Sequence, residues 1–358
     1  MKLESDEEIE QDERKNPVKR AEREKEFRTV GPQKTIHIDP KEMYENITKY
    51  NKSIKTVKNV HPKHPEFSII DYSLAARGPQ EDEVYSHQIY YRNNIRRGNT
   101  VVLHNKTKEV FWGRKGLVKF FDISDKSIKA IVEEDEKSID KKYKSLHYAI
   151  FSEIENVLSC NDELPPEHKA KVHVYRLNKA NGENAQVSYF PPTDEWVVSS
   201  KNVSIFVKEL TDIKAYQGER YGFAALMAHT WFELLKGKNK DQIAELKQDL
   251  TGRALVGEYC GNPEYQHLVK YNEITIYFYA LVELKSQYTC LPPFEAFRML
   301  EKHKLPIVKN YENSLYGKYT SYKEMGEHLH TLFNQVATSS IFQDEEGSVV
   351  YFVLEKPR

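Results

Sequence analysis

The chain has 358 residues, with 53 Lys+Arg against 54 Asp+Glu and a formal net charge of −1. That length holds one large domain or two modest ones with a sizeable core, and the even charge balance excludes a globally basic nucleic-acid footprint, so any such surface must come from local clustering. Three cysteines without metal-ligand spacing (Cys160, Cys260, Cys290) argue against a zinc site and for a reducing compartment.

Residues 1–34 are mostly Glu, Asp, Lys and Arg with almost no apolar periodicity, which predicts a disordered charged tail. The acidic start is unlike a secretory or mitochondrial leader. No run approaches the roughly 18 apolar residues of a membrane span. The expectation is an intracellular protein, cytoplasmic or nuclear, without membrane association. Residues 35–358 are expected to form one folded domain. Residues 40–75 read as short helical patterns broken by His61-Pro62-Lys63-His64-Pro65, whose histidines are expected to be solvated.

From Val84 the texture turns to strands. Tyr85–Tyr91, Asn99–His104 and Glu109–Trp112 are predicted strands, the last two joined by the turn Asn105–Lys108. Gly113–Gly116 reads as a loop, and Leu117–Phe121 closes the unit. Residues 125–158 are helical in pattern, and 161–168 form a proline-containing loop. Val172–Leu177 and Asn184–Phe190 are expected to pair as a hairpin around Lys179-Ala180-Asn181-Gly182, with Glu195–Ser199 as a third strand of a meander. Tyr221–Leu235 and Ile243–Leu250 have helical apolar spacing, with Gly237 as a C-cap. Ala254–Tyr259 and Glu273–Glu283 read as strands, Phe294–Lys302 and Tyr322–Asn334 as helices, and Ser348–Leu354 as a last strand. Hairpins rather than βαβ crossovers predict an α+β fold with antiparallel sheets.

Two Lys-x-x-Gly spacings occur, Lys179–Gly182 and Lys323–Gly326. Lys323 opens a helix and reads as a solvated surface lysine, whereas Lys179 lies between two strands. Around it, in chain order, stand Arg97-Gly98, Lys119-Phe120-Phe121, Ser200-Lys201, Gly257-Glu258 ending an apolar strand, the aromatic strand that holds Phe278, and Glu346-Gly347, the only Glu-Gly pair in the chain. Ala75-Ala76-Arg77-Gly78 is a competing Arg-Gly element, but Pro79 and the acidic run Glu81–Glu83 make it a poorer start for a phosphate-facing strand. In the helix with Met227 and Trp231, His229 reads as a satisfied histidine rather than a base.

This ordered set resembles the covalent nucleotidyltransferase superfamily of DNA ligases, RNA ligases and capping enzymes. RRGNTVVL followed by VKFF is most similar to the RNA ligase branch typified by the phage tRNA-repair ligase. The resemblance covers about residues 90–354 and treats 125–168 as a helical insertion. It implies an antiparallel-sheet nucleotidyltransferase core, ATP-grasp-like in character, and an ATP-dependent RNA ligase that joins RNA 5′-phosphate and 3′-hydroxyl ends, with RNA (tRNA among the candidates) as partner. By resemblance, Lys179 attacks the α-phosphate of ATP and holds a lysyl-AMP. Only a neutral amine is nucleophilic, and neighbouring cations and a bound metal disfavour its charged form. Gly182 belongs to the nucleophile's motif. Arg97 and Lys119 hold the β- and γ-phosphates, and Lys201 contacts a phosphate or an RNA 5′ end. Glu258 and Glu346 contact the ribose and bind Mg²⁺ or Mn²⁺, both served by oxygen ligands, and Phe278 stacks on adenine.

The superfamily carries a final Lys-x-Lys about a dozen residues past its Glu-Gly motif. Here the sequence ends at Lys356-Pro357-Arg358. Either the sequence stops short of that strand, or Lys356 and Arg358 substitute poorly for the pair, or the protein is a catalytically inactive nucleotide- or RNA-binding homologue. DNA nick sealing and RNA capping are the other nucleotidyl transfers the superfamily allows, and the Lys-Phe-Phe element speaks against both.

Overall fold

The computed structural model describes residues 39–47, 54–75, 80–81, 84–85, 95–120, 144–161, 164–265, 269–285, 290–309, 315–338 and 346–355. The charged segment 1–34, the competing Arg77-Gly78, most of the predicted insertion before residue 144, and Lys356 and Arg358 lie outside them. The fold is mixed α and β, with antiparallel sheets, as the hairpin-rich sequence predicts.

Strands β1 (Ile54–Val60), β2 (Phe67–Leu74), β3 (Asn99–His104) and β4 (Val110–Lys115) form a meander in that order. A five-stranded sheet, ordered β10-β9-β6-β7-β8, contains β6 (Glu183–Phe190), β7 (Glu195–Ser200), β8 (Ser204–Val207), β9 (Arg253–Cys260) and β10 (Thr275–Glu283). A three-stranded sheet places β5 (Lys171–Asn178) between β11 (Leu315–Tyr319) and β12 (Ser348–Glu355).

Side-chain alternation along the five-stranded sheet sorts its two faces. Ala185, Val187, Trp196, Leu255, Ile276 and Phe278 pack against helices α3 (Gly222–Leu235), α4 (Lys240–Leu250) and α5 (Pro293–Lys302). Trp231 of α3 is fully buried there, edge-on to Trp196 at 5.3 Å and to Phe278 at 6.2 Å. On the opposite face, Phe190, Val197 and Phe206 meet Phe67, Ile69 and Val102 of the four-stranded meander. The three-stranded sheet has its own core. Val172 and Val174 pack with Phe151 and Ile154 of α2 (Lys144–Ser159) and with Met325 and Leu329 of α6 (Tyr322–Thr338).

Four expectations are corrected. Residues 54–74 are two strands, not helical patterns, following the short helix α1 (Pro40–Ile47). Ile54, Val57 and Val60 imitate helical spacing, but β1 is an edge strand with Lys55 and Lys58 turned to solvent. Tyr85 is helical rather than the start of a strand, and the rest of that stretch lies outside the described residues. Residues 113–115 continue β4 instead of forming a loop. Most consequentially, β5 and β6 do not pair with each other. Both edges of β5 are taken by β11 and β12, and both edges of β6 by β9 and β7. The Lys179–Gly182 segment is therefore a crossing from one sheet to another, not a hairpin turn.

His61 also differs from expectation. It is 1 % exposed, its Nδ1 accepts from the backbone N–H groups of Lys63 and His64 at 3.2 Å, and its Nε2 lies 2.9 Å from Glu195 Oε2. With Nδ1 accepting, Nε2 carries the proton and donates to the carboxylate. The proline-flanked loop thus anchors to β7. His229 sits on an exposed position of α3 while its neighbours Met227 and Trp231 are core.

Candidate active site

The crossing puts Lys179 where the five- and three-stranded sheets meet. Its backbone N–H donates to Gly347 O at 2.9 Å, which ties the end of β5 to the residue preceding β12. The same approach brings Glu346 to Lys179, and the two side chains form an ion pair through Lys179 Nζ and Glu346 Oε1. Asn181 Nδ2 donates to the other carboxylate oxygen at 2.9 Å. Asn181 is itself fixed twice, its Oδ1 accepting from Val269 N and its N–H donating to Tyr271 Oη, both at 2.9 Å. Glu346 is thus oriented before any ligand arrives.

Gly182 serves the backbone. A Cβ there would lie 2.3 Å from Tyr259 O and 2.8 Å from Cys260 Sγ, so β6 can approach β9 this closely only with glycine. Gly182→Ala is expected to cost about 2 kcal/mol, because the obstructing atom belongs to a paired strand. A urea melt of the variant against wild type checks this.

Lys179 and Glu258 line a small, partly open cleft. Its apolar wall is Leu177, Val349 and Phe120, and Tyr279 and Tyr351 close it. Leu177 and Val349 are register partners on β5 and β12, as are Tyr175 and Tyr351, so that the sheet supplies one wall. Tyr279 arrives by a β-bulge, since the β10–β9 register slips between Phe278 and Ala280. Phe278 is the residue expected to stack on a base. It is fully buried on the helix-covered face and is not among the cleft's lining residues. The aromatic side chains that do line the cleft are Phe120, Tyr279 and Tyr351.

Arg97, which lies near Glu258, and Lys119 are both close enough to Lys201 to act on its charge, although none of the three cations is among the cleft's lining residues. Arg97 N donates to Leu117 O at 2.9 Å and Gly116 N to Gly98 O at 2.8 Å, so the Arg97–Gly98 loop lies along the segment that leads to Lys119. Lys201 occupies the turn between β7 and β8, closed by Ser200 N donating to Val203 O at 3.0 Å. Burial pulls the Lys201 amine down, and the positive charges of Arg97 and Lys119 push the same way, while Glu81 opposes them. Glu81 Oε2 accepts from Lys201 Nζ at 2.7 Å. Glu81 is thus the anionic partner of this cation.

Glu258 shares a sheet face with its register partner Asn184. Its Oε1 accepts from Tyr279 Oη at 3.4 Å. Burial pushes its carboxyl up to about 8; Arg97 and the Tyr279 hydroxyl pull it back, and the charges of Glu183 and Glu346 add to the rise. A carboxyl raised this far binds a proton in the folded state that the unfolded chain releases. Stability is therefore highest below the ordinary glutamate range and declines as pH rises through about 8. Without nucleotide or divalent cation, Glu258→Gln is expected to abolish that decline and to be about 5 kcal/mol more stable than wild type above pH 8. Melting curves of both proteins across pH 5–9 test the sign.

Among the described residues, no group of three or more His, Cys, Asp or Glu side chains is arranged to hold a metal by itself. Glu258 and Glu346 still fit a Mg²⁺ that is shared with a substrate. The two carboxylates are near enough to interact, and Mg²⁺ commonly takes one or two carboxylates alongside substrate phosphates.

Lys179 and Glu258 line the cleft, Glu346 pairs with Lys179, Arg97 lies near Glu258, and Lys201 lies near Arg97 and Lys119, while Phe278 is in the core. Lys323 is exposed on α6. Asn181, Tyr279 and Tyr351 were not singled out from the sequence. Asn181 had a usable signal, standing inside Lys-x-Asn-Gly two residues from the lysine, and Tyr279 had one too, since alternation puts it on the face of Tyr277, the register partner of Glu258.

No family model matches the chain, and no curated protein matches it. Among solved structures it is similar to an archaeal ATP-dependent RNA ligase (form 1) at 14 % identity and a TM-score of 0.45, over 86 % of this chain and 57 % of that one. It is also similar to a Naegleria gruberi RNA ligase mutant in the apo state at 16 % identity and a TM-score of 0.34, over 58 % of this chain and 52 % of that one. A second Naegleria gruberi RNA ligase structure, of a mutant with ATP and Mn, gives 15 % identity and a TM-score of 0.34, over 57 % and 52 %. The chain spans little more than half the length of each.

Proposed function

We propose that this chain is an ATP-dependent RNA ligase that carries AMP on Lys179. The observation that carries the reading is the placement of one lysine, held by Glu346, at an apolar-walled cleft with Arg97, Lys119 and Lys201 gathered nearby. A lone surface lysine has no use for an oriented carboxylate, an aromatic slot and three cations. A covalent nucleotidyl carrier uses all of them.

In the first step the neutral Lys179 amine attacks the α-phosphorus of ATP. A P–N bond forms, the P–O bond to pyrophosphate breaks, and pyrophosphate leaves with the electron pair. The proton shed by nitrogen goes to Glu346, the carboxylate already against it, and on to solvent. Arg97 and Lys119 neutralise the departing β- and γ-phosphates and align them. Tyr279, Tyr351 and the Leu177–Val349 wall receive the base. A bound Mg²⁺ or Mn²⁺ supplies further charge neutralisation on the phosphate oxygens. An oxygen of an RNA 5′-phosphate then attacks the α-phosphorus, a P–O bond forms, the P–N bond breaks, and the Lys179 nitrogen takes up a proton from solvent by way of Glu346. A 3′-hydroxyl oxygen attacks the RNA 5′-phosphorus, its proton passes to solvent, the phosphodiester P–O bond forms, and the P–O bond to AMP breaks with AMP leaving with the electron pair.

The test uses α-labelled ATP or GTP with Mg²⁺ or Mn²⁺, followed by 5′-phosphorylated RNA, including a nicked tRNA. Label retained on the denatured protein from ATP, then transferred to the RNA 5′ end, is the expected result. Label from GTP instead indicates capping chemistry, and bound nucleotide with no covalent label indicates an inactive binding protein.

A further inference from the structure

Two buried polar side chains behind the cleft hold the backbone of both loops that present cations. Arg114 of β4 is fully buried; its Nη1 donates to Ser200 O at 2.6 Å and its Nη2 to Lys201 O at 3.4 Å. Gln186 of β6 is also fully buried, and its Nε2 donates to Arg97 O at 2.6 Å. Both press on Gly98, whose φ is +100°. A Cβ on Gly98 would lie 2.6 Å from Arg114 Nη1 and 2.4 Å from Gln186 Nε2.

The guanidinium is held from behind by a one-way hydroxyl chain. Arg114 Nε donates to Thr100 Oγ1 at 2.9 Å, and Thr100 Oγ1 donates to Asp71 Oδ1 at 2.8 Å. Thr100 has a single proton and spends it on Asp71, so Ser204 Oγ, 2.6 Å away, must donate to Thr100. Ser199 Oγ donates to Ser204 Oγ at 2.9 Å. A fully buried cation is costly, and an apolar side chain of similar volume would fill the space at less expense. What the cation supplies, and an apolar residue would not, is a rigid fork that grips two carbonyls of the Lys201 turn.

We infer that Arg114 and Gln186 are positioning residues for triphosphate binding. Arg114 fixes the turn that presents Lys201, and Gln186 fixes the loop that presents Arg97, so the spacing of the two cations is set before a nucleotide arrives. This rests on the reading of Arg97 and Lys201 as phosphate contacts. AMP lacks the β- and γ-phosphates, so the props should matter for ATP and hardly for AMP.

The experiment is calorimetric titration of ATP and AMP with Mg²⁺ into the full chain and its variants. Arg114→Lys keeps the charge but loses the fork, and Gln186→Met keeps the volume but loses the donor. Each is expected to weaken ATP about ten-fold and AMP less than two-fold. Adding Arg114→Lys to Lys201→Ala, or Gln186→Met to Arg97→Ala, should weaken ATP no further, because each prop acts through its cation. Equal losses for ATP and AMP, or losses that multiply in the double variants, would overturn the inference. If Arg114→Lys does not fold, Gln186→Met and its pair with Arg97→Ala decide alone. If the wild-type protein binds neither nucleotide, the site reading falls, and the positioning with it.

Discussion

Lys179→Ala is expected to remove all covalently held nucleotide from the protein while ATP still binds. The phosphate-facing cations Arg97, Lys119 and Lys201 stand on other segments, and the base-facing wall comes from β5, β10 and β12, so none depends on the Lys179 side chain. The fold should survive as well. The Lys179 and Glu346 side chains are 41 % and 25 % exposed, and an ion pair that exposed contributes about 1 kcal/mol or less. Label from α-labelled ATP on a denaturing gel should fall to background in Lys179→Ala and remain at the wild-type level in Lys323→Ala. A melting temperature within a few degrees of wild type would show that the loss is chemical.

The largest effect on stability is expected at Asp71. It is 3 % exposed and anchors the cluster between the two packed sheets. Thr100 donates to its Oδ1, and Arg220 Nη2 donates to its Oδ2 at 2.8 Å. The carboxylate also offsets the positive charge of Arg114, whose guanidinium burial pulls down to about 10. Asp71→Ala leaves that cation buried without its counter-charge, and removing one partner of a buried pair costs about 3–5 kcal/mol. Urea unfolding should show the loss as a lower midpoint with an unchanged slope. Arg114→Met added to Asp71→Ala should recover part of it, because the uncompensated charge is then gone.

Burial on both faces did not by itself hide a strand: Asn99–His104, buried at five of its six positions, was predicted with its observed limits, and the helix after Pro292-Pro293 is entered through those prolines. The reading failed at the first two strands. Phe67–Leu74 is buried at seven of its eight positions and shows no alternation, and the edge strand Ile54–Val60 carries helix-like spacing. Pairing was less legible than existence. Two strands flanking a short Lys-x-x-Gly segment look like a hairpin, yet each had better partners far away in sequence, including Ser348–Glu355 for β5.

At the site, the charged residues were legible because each stands beside a glycine, a turn or the end of an apolar strand. The aromatic wall was less so. Alternation alone puts Tyr279 on the face opposite Phe278, and the bulge between Phe278 and Ala280 then exchanges the faces of the residues that follow. The buried props were equally hidden. Arg114 sits in a predicted loop and Gln186 in the middle of a strand, and only the packing of two sheets turns them toward the cation loops.

The central claim is that Lys179 carries the nucleotide, and peptide mass mapping tests it most directly. The full chain is incubated with ATP and Mg²⁺ or Mn²⁺, digested, and searched for peptides heavier by one adenylyl group. The predicted result is a single modified peptide containing Lys179, with fragmentation placing the adduct on that lysine. An adduct on another lysine, or wild-type protein that binds ATP and stays unmodified, would contradict it.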